Sequence, residues 1–163
     1  MISKKMEAAL NNHIQEEMYS SYLYLSMALF CHDLGLNGFA HWMRLQSKEE
    51  WGHAMKMLDY LLERGGHVDL KEIKKPPASF KTAHHIMELT LEHERKVTAL
   101  IQKLHALAGK EEDTATQIML QWFIGEQVEE EATVTDILQK LKFIAEKSSG
   151  ILYLDKELKK REA

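Results

Sequence analysis

The chain has 163 residues, 45% of them hydrophobic, which is enough for one domain with a sizeable core. Its 21 Lys and Arg against 25 Asp and Glu give a formal net charge of -4, so we expect neither a nucleic-acid partner nor a membrane partner. The single cysteine, Cys31, excludes an internal disulfide, and no stretch approaches the ~20 apolar residues of a membrane span or a secretion signal, so we expect a cytoplasmic protein.

Helix-favouring stretches fill most of the chain, and only 8 glycines and 2 prolines interrupt them. Gly35, Gly65, Gly109 and Gly150 each follow such a stretch, where a left-handed residue commonly ends a helix. We therefore predict a single domain over residues 1–163 with no strand. Its predicted helices cover about 5–34, 38–64, 82–108, 113–146 and 151–161.

One connection is much longer than the others and decides the predicted topology. Residues 65–81 could extend over about 55 Å at ~3.3 Å per residue, whereas a 27-residue helix is ~40 Å long. The linker can therefore run the whole length of the second helix, which makes the second and third helices parallel. This predicts an all-α four-helix bundle with one long crossover and a short fifth C-terminal helix.

Acidic side chains interrupt the apolar stripe of each long helix at similar depths. Glu17, Glu50 and Glu94 lie about eleven or twelve residues from the predicted helix starts, and Gln127 lies about fourteen from its own, with Glu130 on the same stripe. In a bundle of nearly equal helices these side chains meet near the middle. Burying an ionised carboxylate without a partner costs several kcal/mol, so this layer needs positive charge.

The residue types predict a dinuclear metal centre. No Lys or Arg lies on these stripes at that depth, and four carboxylates carry the charge that two divalent cations cancel. His53, three residues after Glu50, adds an imidazole on the same face. A mostly oxygen ligand set with one nitrogen suits iron or manganese better than structural zinc. The alternative is a structural helical bundle in which the buried glutamates are paired with other side chains.

At these residues the chain resembles the ferritin family, specifically the non-haem bacterial and archaeal ferritins, over essentially its whole length. The resemblance includes Glu17 with SSYLYLSMA on the first helix, and FAHWM followed by Glu49, Glu50 and His53 on the second. It continues through ERGG and KPP in the linker, Glu94 on the third helix and EQVEEE on the fourth. The resemblance implies iron storage with ferroxidase activity, which converts Fe(II) to Fe(III).

The resemblance also implies roles for individual residues. The implied ligands are Glu17, Glu50 and His53 for one iron, and Glu50, Glu94 and Glu130 for the other. Gln127 resembles a glutamine beside this centre, and Tyr24 resembles a tyrosine that bonds to a ligand and donates an electron. Glu49, Glu126 and Glu129 resemble the ligands of a third iron, for which a solvated acidic face is the alternative.

A departure from a neighbouring family bears on which cofactors are expected. Trp51 stands two residues before His53, where bacterioferritins carry a haem-binding methionine, so no haem is expected.

The resemblance implies dioxygen or hydrogen peroxide as the oxidant, and a homo-oligomeric shell of 24 subunits around a ferric mineral, with the fifth helix at its fourfold axis. A di-iron oxidoreductase without storage is the competing enzyme, and a monomer or dimer would favour it.

Overall fold

The structure, a computed structural model, describes residues 2–144 and 148–162. This part of the chain contains five helices and no strand, which confirms the predicted fold class. None of these helices is both long and apolar enough to cross a membrane. The helices are α1 (Lys4–Asp33), α2 (Asn37–Glu63), α3 (Ala83–Lys110), α4 (Thr114–Leu141) and α5 (Ser149–Leu158).

Some helix ends differ from the sequence prediction. α4 ends at Leu141, before the predicted end at residue 146, and residues 145–147 lie outside the described part of the chain. Gly109 lies inside α3, and the left-handed residue after that helix is Glu112, with φ 54°. A Cβ at position 109 would lie 3.0 Å from Nε2 of the Gln117 side chain on α4, so this glycine packs beside α4 and does not end the helix. Gly150 likewise lies inside α5.

Side-chain caps begin most of the helices, but the cap of α2 comes from elsewhere. Three helices have a local cap that accepts a hydrogen bond from the amide three residues later at 3.1 Å: Ser3, Thr82 and Asp113. At the start of α2, Oδ1 of Asp155 accepts from the amides of Gly38 and Phe39 at 2.8 and 2.9 Å. α5 therefore satisfies two of the free amides of α2, and these two helices pack directly against each other.

The hydrophobic core consists of two clusters, one towards each end of the bundle. The first joins the C-terminal halves of α1 and α4 to the N-terminal halves of α2 and α3, and includes α5. The second joins the opposite halves of the four long helices. This pairing makes α1 and α2 antiparallel, α3 and α4 antiparallel, and α2 and α3 parallel, as the linker length predicted.

The long linker between α2 and α3 follows α1 along the bundle. Three α1 side chains donate to successive linker carbonyls: Asn11 to His67 at 2.9 Å, Gln15 to Glu72 at 3.1 Å, and Ser26 to Pro77 at 2.5 Å. Because the bonded positions advance together in both segments, the linker runs in the same direction as α1. The length of the linker allows the crossover, and specific hydrogen bonds to α1 hold it along the bundle.

Two glycines on α2 lie in opposite surroundings, one crowded and one open, so replacing each with alanine should have opposite effects on stability. A Cβ at Gly38 would lie 1.7 Å from the carbonyl oxygen of Asp155, whereas a Cβ at Gly52 would meet nothing within 4 Å. We expect Gly38→Ala to lower the free energy of unfolding by about 1–3 kcal/mol, because α5 must move. We expect Gly52→Ala to raise it by about 0.5–1 kcal/mol, because alanine favours the helix. Denaturant unfolding measures both, and equal changes would contradict the packing of α5 on α2.

Candidate metal centre

A layer of buried polar side chains lies between the two hydrophobic clusters. Each long helix contributes one glutamate to this layer, and none of the four is more than 6% exposed: Glu17, Glu50, Glu94 and Glu130. Gln127, Tyr24 and His53 are buried in the same region. Helical periodicity places these residues inward, and the similar depth of the residues on each helix brings them to the same level.

Three of these residues form the tightest group, which we call the inner cluster: Glu17, Glu50 and His53. Their potential ligand atoms all lie within 4.8 Å of one another, and Nδ1 of His53 lies 3.4 Å from Oε2 of Glu50. This is the set that the resemblance implied for one iron. The set implied for the other iron, in which Glu94 and Glu130 join Glu50, does not gather within the same spacing, and its assignment stays a prediction.

Neighbouring side chains hold two of the carboxylates in place. Nε2 of His13 bonds to Oε1 of Glu17 at 2.8 Å, one helical turn away. The hydroxyl of Tyr24 donates to Oε1 of Glu94, and Nε2 of Gln127 donates to Oε2 of Glu94 at 3.0 Å. The structure thus places Tyr24 against a carboxylate of the layer, as expected. Whether it donates an electron stays a prediction.

Gln46 connects the other two carboxylates, a role that the sequence analysis did not predict. Its Nε2 donates to Oε2 of Glu130 at 2.7 Å and to Oε1 of Glu50 at 3.2 Å. Its position one turn before Glu50 was visible in the sequence, but the contact with Glu130 on α4 depends on how the helices pack. Gln46 and His13 therefore support the layer without belonging to the predicted ligand sets.

One oxygen of the inner cluster lacks a hydrogen-bond partner when the carboxylates are ionised. Among the buried side-chain nitrogen and oxygen atoms of the described residues, this holds for Oε2 of Glu17 alone. The other oxygen, Oε1, is taken by His13. A buried oxygen without a donor is costly; a proton on Glu50 satisfies it in the metal-free layer, and a cation bound between Glu17 and Glu50 would take the place of that proton. The donor set therefore fits a metal ion.

The metal-free layer retains protons. Burial, with the negative charges of Glu17 and Glu94, raises the pKa of Glu50 well above its ordinary value. Burial likewise raises the pKa of Glu94, and it raises the pKa of Glu130 to about 8. Burial acts to raise the pKa of Glu17 too, but the hydrogen bond and charge of His13, together with a hydrogen bond from Glu50 and the charge of His53, outweigh it, and the pKa is lowered. Protons thus replace part of the missing positive charge.

These shifts predict how the stability of metal-free protein depends on pH. Below about pH 4.5 Glu130 is protonated in both the folded and the unfolded chain, and between there and about pH 8 only the folded chain keeps this proton. Its contribution to stability is therefore lost as pH rises through this window. We expect the free energy of unfolding, relative to that of Glu130→Gln, to fall from pH 4.5 to 8 in chelator-treated protein. A rise in this difference would contradict the assignment.

A second group lies beside the inner cluster, and we call it the outer cluster: Glu49, His53 and Glu126. Its potential ligand atoms also lie within 4.8 Å of one another, and both glutamates are half-buried. Two of the three residues implied for a third iron are therefore brought together. Glu129 is exposed and belongs to neither cluster, so its participation stays a prediction.

Comparison with known proteins identifies the family. A family model of the ferritin-like domain matches residues 7–144. The chain belongs to the ferritin family. The bacterial non-heme ferritin of Bacteroides fragilis is 44% identical over 161 residues, which cover 99% of this chain and 100% of the relative. That of Campylobacter jejuni is 39% identical, covering 98% and 95%.

A solved structure agrees with this membership. The open pore ferritin of the hyperthermophilic archaeon Archaeoglobus fulgidus matches with a TM-score of 0.98 and 48% sequence identity, covering 99% of this chain and 100% of that one. The ferritin resemblance inferred from the buried carboxylates and the linker motifs is thereby confirmed. The carboxylate layer of this ferritin-family chain is accordingly a candidate iron centre.

Proposed function

We propose that the chain stores iron and oxidises Fe(II) to Fe(III) at the inner cluster and its neighbouring carboxylates. The observation that carries this proposal is the buried group of Glu17, Glu50 and His53, whose potential ligand atoms all lie within 4.8 Å of one another. Such a group attracts a cation in place of the protons it otherwise holds. Membership of the ferritin family supports iron as that cation.

The chain's carboxylates would hold two ferrous ions per subunit. In this proposal Glu17, Glu50 and His53 bind one ion, Glu94 and Glu130 bind the other, and Glu50 bridges the two. Each ferrous ion loses one electron. Dioxygen takes up the two electrons with two protons to give hydrogen peroxide, or hydrogen peroxide takes them up with two protons to give two waters. The protons released from the layer on metal binding contribute to this demand.

The residues around the carboxylates would position them for this reaction. His13 leaves one oxygen of Glu17 free, and Tyr24 with Gln127 orients Glu94. These contacts limit the rotation of the carboxylates, which favours a defined spacing between the two ions.

The outer cluster is proposed to bind a third cation. Its two half-buried glutamates and the shared His53 support this, and their greater exposure suits an ion that arrives or leaves through this side. The proposal includes Glu129 only as the resemblance implied it. No haem enters this scheme, which uses carboxylate and imidazole ligands throughout.

Storage requires an enclosed volume that one bundle cannot supply, so we propose a homo-oligomeric shell of 24 subunits. Exposed apolar side chains on the outer face of α1 support association: Tyr22, Leu25 and Leu29.

We also propose a cytoplasmic location. Burial raises the pKa of Cys31 to about 12, so this thiol stays protonated and free, as suits a reducing compartment.

An aerobic ferrous titration combined with size measurement tests the whole proposal. We expect rapid oxidation of about two Fe(II) per subunit, slower uptake afterwards, and a particle far larger than a dimer. Rapid oxidation by a monomer or dimer would instead indicate a di-iron oxidoreductase without storage. A protein that neither binds nor oxidises iron would indicate a structural bundle.

A further inference from the structure

The segment after α5 returns to the carboxylate layer through Arg161. Nε2 of His41 donates to the backbone carbonyl of Arg161 at 2.9 Å, and the guanidinium carbon lies 4.6 Å from the centre of the Trp42 ring. Both contacts are made by α2, a little more than two turns before Glu50. The guanidinium is thus held at a defined place beside the layer.

The two terminal nitrogens of this guanidinium contact two different side chains, one beside the inner cluster and one in the outer cluster. Nη1 donates to Oε1 of Gln46 at 2.8 Å, and Nη2 donates to Oε2 of Glu49 at 2.6 Å. Gln46 is the residue that bonds to Glu50 and Glu130, whereas Glu49 belongs to the outer cluster. One side chain therefore lies next to both clusters.

The contact with Gln46 decides which way its amide points. A guanidinium has only donors, so it selects the amide oxygen of Gln46. The amide nitrogen is then directed at Glu50 and Glu130, which are acceptors when ionised. Without Arg161 the amide could rotate and present its oxygen to the carboxylates. Arg161 is therefore suited to hold the donor side of Gln46 on the layer.

The contact with Glu49 has an electrostatic consequence. A guanidinium is always charged, and this one pairs with Oε2 of Glu49, a candidate ligand of the outer cluster, at 2.6 Å. A cation entering the outer cluster must displace Arg161 from Glu49 or share that carboxylate with it. The same movement would release Gln46 beside the inner cluster.

We propose that Arg161 is a positioning residue for Gln46 and a tethered cation that weakens divalent-ion binding at the outer cluster. The inference rests on the proposed function, because it assumes that both clusters bind cations. Cation binding at the two clusters is therefore linked, because the side chain that supports the inner cluster also competes with cations for Glu49 in the outer cluster. Arg161 thereby favours filling of the inner cluster before the outer cluster.

Calorimetric titration of chelator-treated, full-length protein with Zn²⁺ tests this inference without any oxidation. Glu126→Ala identifies which binding step belongs to the outer cluster. We expect Arg161→Ala to bind Zn²⁺ about three- to tenfold more tightly at the outer cluster, because a partly exposed cation is removed. We expect about three- to tenfold weaker binding at the inner cluster, because a supporting hydrogen bond is lost. A merely structural role would weaken both steps.

Two further variants separate charge from general disturbance. Arg161→Lys keeps a cation beside Glu49, so its outer-step affinity should stay within about twofold of wild type. Lys160→Ala removes the same charge from the neighbouring residue, which pairs with Glu157 at 2.7 Å, and should change neither step. If Arg161→Lys tightens the outer step as much as Arg161→Ala does, the tethered-cation role is wrong.

The outcomes also distinguish this inference from the proposed function. If wild-type protein shows no Zn²⁺ binding that depends on Glu17 and His53, the proposed function fails and the inference fails with it. If the inner cluster binds Zn²⁺ normally and Arg161→Ala leaves both affinities unchanged, only the inference is overturned. Opposite changes at the two clusters support it.

Discussion

Replacing Glu50 with alanine is expected to abolish rapid ferrous oxidation. Glu50 lies in the inner cluster, shares the amide of Gln46 with Glu130, and is the carboxylate proposed to bridge both ions. Its loss leaves three carboxylates, which cannot balance two divalent cations, and removes the contact between the two ions. We expect the initial rate in an aerobic ferrous titration to fall by about a hundredfold or more.

The control for this prediction is Glu63→Ala, at the exposed end of the same helix. It removes an equal charge far from the layer and should oxidise iron at the wild-type rate. Anaerobic binding of Fe(II) completes the comparison, since the Glu50 variant should bind fewer ions than the control. An initial rate for Glu50→Ala equal to that of wild type would refute the bridging role.

Removing residues 149–163 is expected to lower both the stability and the integrity of the shell. α5 buries Ile151, Leu154 and Leu158 in the first core cluster, and Asp155 caps α2. At about 1.5–3 kcal/mol for each fully buried side chain, the loss amounts to roughly 5 kcal/mol or more. The four long helices should persist by circular dichroism, because their mutual packing is retained, but they should melt at a lower temperature.

Light scattering after size-exclusion chromatography reports the effect on assembly. We expect the truncated protein to form smaller or altered particles, because α5 also exposes Leu152 and Tyr153 on its outer side. The matched control removes only residues 162–163 and so keeps α5 and Arg161. Shells of unchanged size and heat resistance after the longer truncation would show that α5 has no role in assembly.

The helical fold and the polar layer could be predicted from the sequence because their determinants are local. Periodicity places Glu17, Glu50, Glu94 and Glu130 inward on their helices, and similar distances from the helix starts place them at one level. The reach of the seventeen-residue linker is set by covalent geometry, and it allows the parallel arrangement of α2 and α3 that the core clusters show. The ends of the helices were less predictable. Gly109 was expected to follow the third helix, but it lies inside α3 and packs beside α4.

Only the tertiary structure decided which residues touch across the bundle. It gathers Glu49, His53 and Glu126 within 4.8 Å without Glu129, and it leaves Glu94 and Glu130 outside the tight inner cluster. It also brings Arg161 to Gln46 and Asp155 to the start of α2, over sequence separations of more than one hundred residues. No periodicity in the sequence encodes such contacts, because they depend on where α5 docks. That position is set by burial of its apolar side chains against the other helices, which only the folded chain determines.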